Sequence, residues 1–164
     1  KIVNSSGGIF SVTNVQSFAG FIEHMGTITS GSLSVGDEVT LSVEYDHRGL
    51  IAPNHTMTHV LNYSLRKFLG EHVDQKGSLV DHEKLRFDFN NEGQVSTEVL
   101  KKVEDEVNSQ INDALPVHYK TVPLASARAI NSLRCVFGDT YPDPVRVVAV
   151  GKDVDALVSD PGKL

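Results

Sequence analysis

The hydrophobic period of this chain changes once, around Asp46-His47-Arg48-Gly49, and that change limits what it can fold into. Before it, apolar residues alternate with polar ones in short runs: Ile9 to Val15, Phe21 to Ile28, and Val39-Leu41-Val43-Tyr45. Alternation marks half-buried strands, and Ser30 to Asp37, rich in Gly, Ser and Asp, supplies the turn between the last two. These segments predict a small β-barrel, or part of one, over residues 1–47. Asp46 to Gly49 reads as the linker.

After the linker the spacing becomes helical. Leu61, Leu65, Phe68 and Leu69 recur at steps of three and four between Asn54, a good N-cap, and Gly70, a good stop. This predicts an amphipathic helix with His55 and His59 on its first turns. Leu79-Val80 and Leu85 to Phe89 then alternate as a hairpin whose polar turn is Asp81 to Lys84, with Leu85, Phe87 and Phe89 on one face. Ser96 or Thr97 caps a further helix carrying Leu100, Val103, Val107, Ile111 and Ala114, which Pro116 ends. A strand over Val117 to Val122, a helix from Pro123 to about Leu133, and a buried strand over Val145 to Val150 complete the pattern. The fold class is α+β: the barrel, then an α/β sandwich of helices against an antiparallel sheet over residues 48–164.

Residues four apart on a helix face the same way, so His55 and His59 can converge on one ion, as half of a tetrahedral zinc site. No Glu follows His55, so the metalloprotease pattern His-Glu-x-x-His is absent. Gln75 lies in Asp74-Gln75-Lys76-Gly77-Ser78, between helix and strand, where its amide can hydrogen-bond a substrate and water, or serve a turn. Thr56 and Thr58 flank the histidine face and can contact a substrate hydroxyl or bond back to their own helix. Cys135 reads as a small buried hydrophobe or as a third metal ligand. His24 and His47 read as structural or exposed residues.

A formal net charge of −6 argues against a general nucleic-acid surface, which is built on Lys and Arg. The charge is uneven: residues 1–47 hold one base and five acids, 48–96 six of each, 97–164 eight bases and ten acids. A nucleic-acid end can still meet local bases at Arg48, Arg66, Lys67, Lys76 and Arg86. The 164 residues suffice for a real core, and no apolar run approaches the roughly 20 residues of a membrane helix. With a single cysteine no internal disulfide forms, and no secretory type of leader opens the chain, so an intracellular origin is expected. Lys1 in place of an initiator Met suggests a piece of a longer polypeptide.

Four ordered segments carry a family resemblance: Asn54-His55-Thr56-Met57-Thr58-His59-Val60-Leu61-Asn62, Asp74 to Val80, Leu85-Arg86-Phe87-Asp88-Phe89, and Val136-Phe137-Gly138-Asp139-Thr140-Tyr141 through Val148. Together they resemble the editing domain of alanyl-tRNA synthetase, in the proline-rich form of eukaryotic members. The resemblance implies hydrolysis of serine or glycine esters on tRNA for alanine. It also implies an elongation-factor-like barrel bearing Gly31-x-Leu33-x-Val35-Gly36-Asp37, zinc on His55 and His59, and catalysis by Gln75. Thr58, Lys76, Gly77 and Ser78 become substrate-binding residues.

The implied partners are the acceptor end of tRNA for alanine and the rest of the synthetase chain, with no membrane. ATP belongs only to the aminoacylation part of the parent enzyme, and the setting is cytoplasmic or mitochondrial. In the family two further zinc ligands come from a Cys-x-x-x-His segment past the position of Asp160-Pro161, and this sequence ends at Leu164 before it. Met57 also stands where a small residue is usual. Two other readings stay open: a tRNA-binding or structural module without turnover, and a freestanding deacylase relative.

Overall fold

The computed structural model describes residues 1–135 and 140–162, so Val136-Phe137-Gly138-Asp139 of the last motif lies outside the described residues. In chain order the elements are β1 (Ile2–Asn4), β2 (Ile9–Phe18), β3 (Phe21–Ser30), β4 (Val39–Leu41), α1 (Tyr45–Leu69), β5 (Gln75–Val80), β6 (Leu85–Phe89), α2 (Thr97–Asn112), β7 (Val117–Val122), α3 (Leu124–Ala129), β8 (Val145–Val150) and α4 (Val154–Ser159). Among the described residues every strand pairing is antiparallel, which with four helices makes the class α+β. Two compact units divide the chain, residues 1–50 and 51–164.

The first unit is one sheet in the order β3-β2-β1-β4. The expected barrel is not closed among the described residues: β3 and β4 are open edges, and β1 and β4, at three residues each, are too short to wrap round. Its tightest point is polar. The Asn4 amide donates to Asp37 Oδ2 at 2.8 Å and to Ser32 O at 3.1 Å, while its Oδ1 accepts from Gly8 N at 2.6 Å. A side chain at Gly8 would overlap the Ser32 carbonyl, so only glycine lets the two segments approach.

The helix α1 differs from expectation at its start. It begins at Tyr45, takes in the stretch read as a linker, and passes through Pro53. Proline costs a helix one hydrogen bond and crowds the carbonyl four residues before it, yet α1 runs on through Pro53 without ending. Asn54 is therefore no cap; its Nδ2 donates to Asp81 O at 2.9 Å and ties mid-helix to the β5–β6 turn. At the other end Gly70, with φ +117°, stops the helix in a conformation that side chains avoid.

Leu65, Val73 and Val103 form the buried centre beneath α1 and α2, joined by Leu61, Phe68, Leu69, Phe87 and Phe89. The hairpin turn closes as Asp81 Oδ1 accepts from Glu83 N and Lys84 N, both at 2.8 Å. Ser96 caps α2 by accepting from Val99 N at 3.3 Å. A second cluster, Val122, Ala127, Ile130, Val147, Ala149 and Val154, packs α3 and α4 on the β7–β8 ladder.

Three further expectations change here. The antiparallel sheet of the expected sandwich is two separate ladders, β5–β6 and β7–β8. β8 is half-buried rather than buried, with Val147 and Ala149 inward and Val148 55% exposed, as a two-stranded ladder with one covered face requires. The helix after Pro123 stops at Ala129, short of Leu133.

Candidate functional site

One stripe of α1 organises the site. At 100° per residue, His55, His59, Asn62 and Arg66 fall within about 60° of one another around the axis. The first pair meets at its rings: the His55 and His59 centroids are 5.4 Å apart and the planes cross at 62°. Two imidazoles on one tetrahedral zinc, each nitrogen about 2.0–2.1 Å from the metal, hold their centroids about 5 Å apart. The pair therefore fits two positions of such a site. Among the described residues no group of three or more His, Cys, Asp or Glu gathers to hold a metal. His59 keeps a solvent-exposed edge, yet desolvation first, and the neighbouring His55 second, lower its pKa and favour the neutral ring that a metal needs.

Further along the stripe α1 faces the start of β5. Gln75, Asn62, Arg66 and Asp74 line a recess of about 120 Å³, with Leu133, Arg134 and Cys135 on its far side. Several contacts fix its walls. Arg66 Nη1 donates to Val73 O at 3.1 Å, and its guanidinium pairs with Glu71 and, at 3.4 Å, with Asp74. Asn90 clamps the strand entrance by donating to His72 O and accepting from Asp74 N, each at 2.8 Å. Burial, and then the proximity of Arg66, hold the Arg134 guanidinium below its ordinary pKa.

Gln75 is a strand residue rather than part of a tight turn. It pairs with Phe89, whereas Gly77 pairs with Asp88, so Lys76 is a bulge between them. Its Nε2 donates to Ser78 Oγ at 3.1 Å. Lys76 and Ser78 are exposed and Gly77 is half-buried, and none of the three lines the recess. Thr58 is 2% exposed and donates its hydroxyl to Asn54 O at 2.9 Å; Thr56 bonds back to Ala52 O. Both threonine hydroxyls donate to their own helix, one of the two roles open in the sequence. The histidine pair likewise lies outside the recess lining.

Cys135 is exposed, which corrects its reading as a buried hydrophobe: it sits at the mouth of the recess rather than in either aliphatic core. Asn62 was the residue hidden in plain sequence. The spacing 55, 59, 62, 66 continues the histidine stripe by one and two turns, and that periodicity was the available signal. Most of the local bases are already paired: Lys67 with Glu106, Arg86 with Asp88, Arg66 with Glu71, and Lys76 lies 3.8 Å from Asp74. That is a mixed solvated surface rather than a phosphate track.

No protein-family model matches the chain. Its relatives are aminoacyl-tRNA synthetases. Over 98% of its length it is 52% identical to the mitochondrial alanine–tRNA ligase of Saccharomyces cerevisiae and 50% identical to the alanine–tRNA ligase of Candida albicans. Over 93% it is 47% identical to the cytoplasmic enzyme of Dictyostelium discoideum. The chain belongs to the alanyl-tRNA synthetase family, and spans 16% to 17% of the length of these relatives.

Proposed function

We propose that this chain is the editing part of an alanyl-tRNA synthetase, hydrolysing the ester of serine or glycine wrongly joined to tRNA for alanine. The observation that carries the reading is the α1 stripe, which sets a convergent histidine pair beside a recess lined by Gln75. An aminoacyl ester is already activated, so the site has to bind the tRNA terminus, place a water and exclude alanine. Gln75 suits the second task, because its amide both donates and accepts and so can orient a water against the ester carbonyl.

His55 and His59 are the proposed zinc ligands, with the other two positions of the four-ligand site filled by the family's Cys-x-x-x-His segment. Bound there, the metal supplies a Lewis acid or an anchor for the substrate. The ligase activity, the ATP site and the wider tRNA contacts belong, in this reading, to other parts of the synthetase. The relatives include mitochondrial and cytoplasmic enzymes, and this reading is compatible with either setting.

The test compares this chain with a form extended through the Cys-x-x-x-His segment, measuring zinc content and deacylation of serine-charged alanine tRNA. Zinc and hydrolysis should rise together in the longer form and fall together in its His59→Ala variant. Full hydrolysis with undiminished zinc in that variant removes the ligand assignment. No hydrolysis by the unaltered longer form removes the editing reading and leaves a tRNA-binding module.

A further inference from the structure

Three residues lining the recess carry a buried polar atom that nothing answers, Asn62 Oδ1, Arg66 Nε and Arg134 Nε, and of these only Asn62 Oδ1 is an acceptor. Asn62 is 4% exposed, and its Oδ1 has no hydrogen-bond partner, although it lines a space beside Gln75. A buried acceptor left unmade keeps the cost of its desolvation, so native structures seldom carry one without a use. The other buried polar residues of α1, Thr58 and Ser64, answer their hydroxyls on Asn54 O and Val60 O, so Asn62 is the one of the three left with an unmade bond.

We propose that Asn62 is a specificity residue that reads the side-chain hydroxyl of the mischarged amino acid. The inference rests on the editing reading and goes one step further, to the group that separates serine from alanine. The unpaired Oδ1 calls for a donor, which the serine hydroxyl provides and the alanine methyl does not. Turned end for end, the amide would present an N–H instead, and a hydroxyl satisfies that too because it also accepts. An ammonium group, which only donates, would answer one orientation alone.

Size and place agree with this choice. A recess of about 120 Å³ takes a group of only a few heavy atoms, on the order of four waters at roughly 30 Å³ each. Asn62 lies three residues beyond His59 on the same stripe, about 4.5 Å along the helix axis. A site built around a hydrogen bond to a hydroxyl rejects the analogue that lacks it far better than an apolar pocket can.

Glycine provides the internal control, since it has no side chain to read. In the full-length synthetase carrying this segment, Asn62→Leu should lower kcat/KM for seryl-tRNA deacylation roughly 10- to 100-fold and leave the glycyl ester within about threefold. Asn62→Asp, which keeps an acceptor, should retain most of the preference for serine. The melting temperature of Asn62→Leu should hold or rise, because an unpaired buried acceptor has been removed. Equal loss of both esters, loss of neither, or a clear drop in melting temperature overturns the assignment. So does loss of the serine preference in Asn62→Asp. If the unaltered enzyme hydrolyses neither ester, the editing reading itself fails, an outcome distinct from any of these.

Discussion

The two units of this chain solve the same problem with opposite materials. In residues 1–50 only Asn4 and Gly8 are buried, and large apolar side chains such as Phe18, Phe21, Leu41 and Val43 stay exposed. What holds the sheet is a polar knot: Asn4 bridges Asp37, Ser32 and Gly8, and Asp37 also accepts from Ser34 N at 2.9 Å. In residues 51–164 the buried positions are mainly aliphatic, in two clusters. Directional bonds secure the first unit and area secures the second, so the two should fail under different insults.

The largest effect belongs to the aliphatic side. Leu65→Ala removes a side chain that is 3% exposed and should cost about 2–5 kcal/mol, read by chemical denaturation. Hydrogen exchange should then quicken in α2 and the β5–β6 ladder while β1 and β2 amides keep their rates; uniform loss would show that the two units share one cooperative transition. Next comes Asn4→Ala, which takes away three hydrogen bonds, one of them to a carboxylate, and should cost about 2 kcal/mol. Its exchange signature should be the mirror image, confined to β1, β2 and β4.

Acid sharpens the contrast more gently. The Ser34 backbone N–H, then the Asn4 amide, hold the Asp37 carboxyl below its ordinary pKa. A depressed carboxylate contributes stability that is present above its unfolded pKa of about 3.9 and is lost as pH falls through the lower folded value. The first unit should loosen in that acid range, and Asp37→Asn should flatten the step; a carboxyl resonance titrating at its ordinary value would dissolve the knot. Smallest of all is Lys67→Met. Although Lys67 pairs with Glu106 at 2.8 Å, the pair lies at the surface, and the melting midpoint should stay where it is.

Which features were legible in the sequence follows from the range of the forces behind them. The Ser96 cap, the Asp81 turn and the β7 strand are written in neighbouring residues, and each stands where local chemistry puts it. The start of α1 is not local. Asn54 has the chemistry of a cap, but its amide is drawn to Asp81 O, 27 residues away, and the helix runs from Tyr45 through Pro53. Likewise the alternation of residues 9 to 45 declares strands without declaring whether their outer edges meet. At the candidate site the histidine pair is visible as spacing. Cys135 and Arg134 reach the recess only through the fold, and no pattern near them in sequence announces it.

The bulge at Lys76 can be described as a change of parity. Along β5 and β6 each pair from Gly77↔Asp88 to Val80↔Leu85 keeps one count, and continuing it would set Gln75 opposite Asn90. That is the even side of the ribbon, shared with Asp88 and Arg86. One supernumerary residue shifts the count, and Gln75 joins the odd side with Phe89 and Phe87, whose rings pack on the core. It leaves Asn90 unclaimed by the ladder opposite Gln75, and its side chain instead straps His72 to Asp74. A single uncounted lysine thus decides which way the glutamine looks, and a chain lacking it would aim that amide to the side of Asp88 and Arg86.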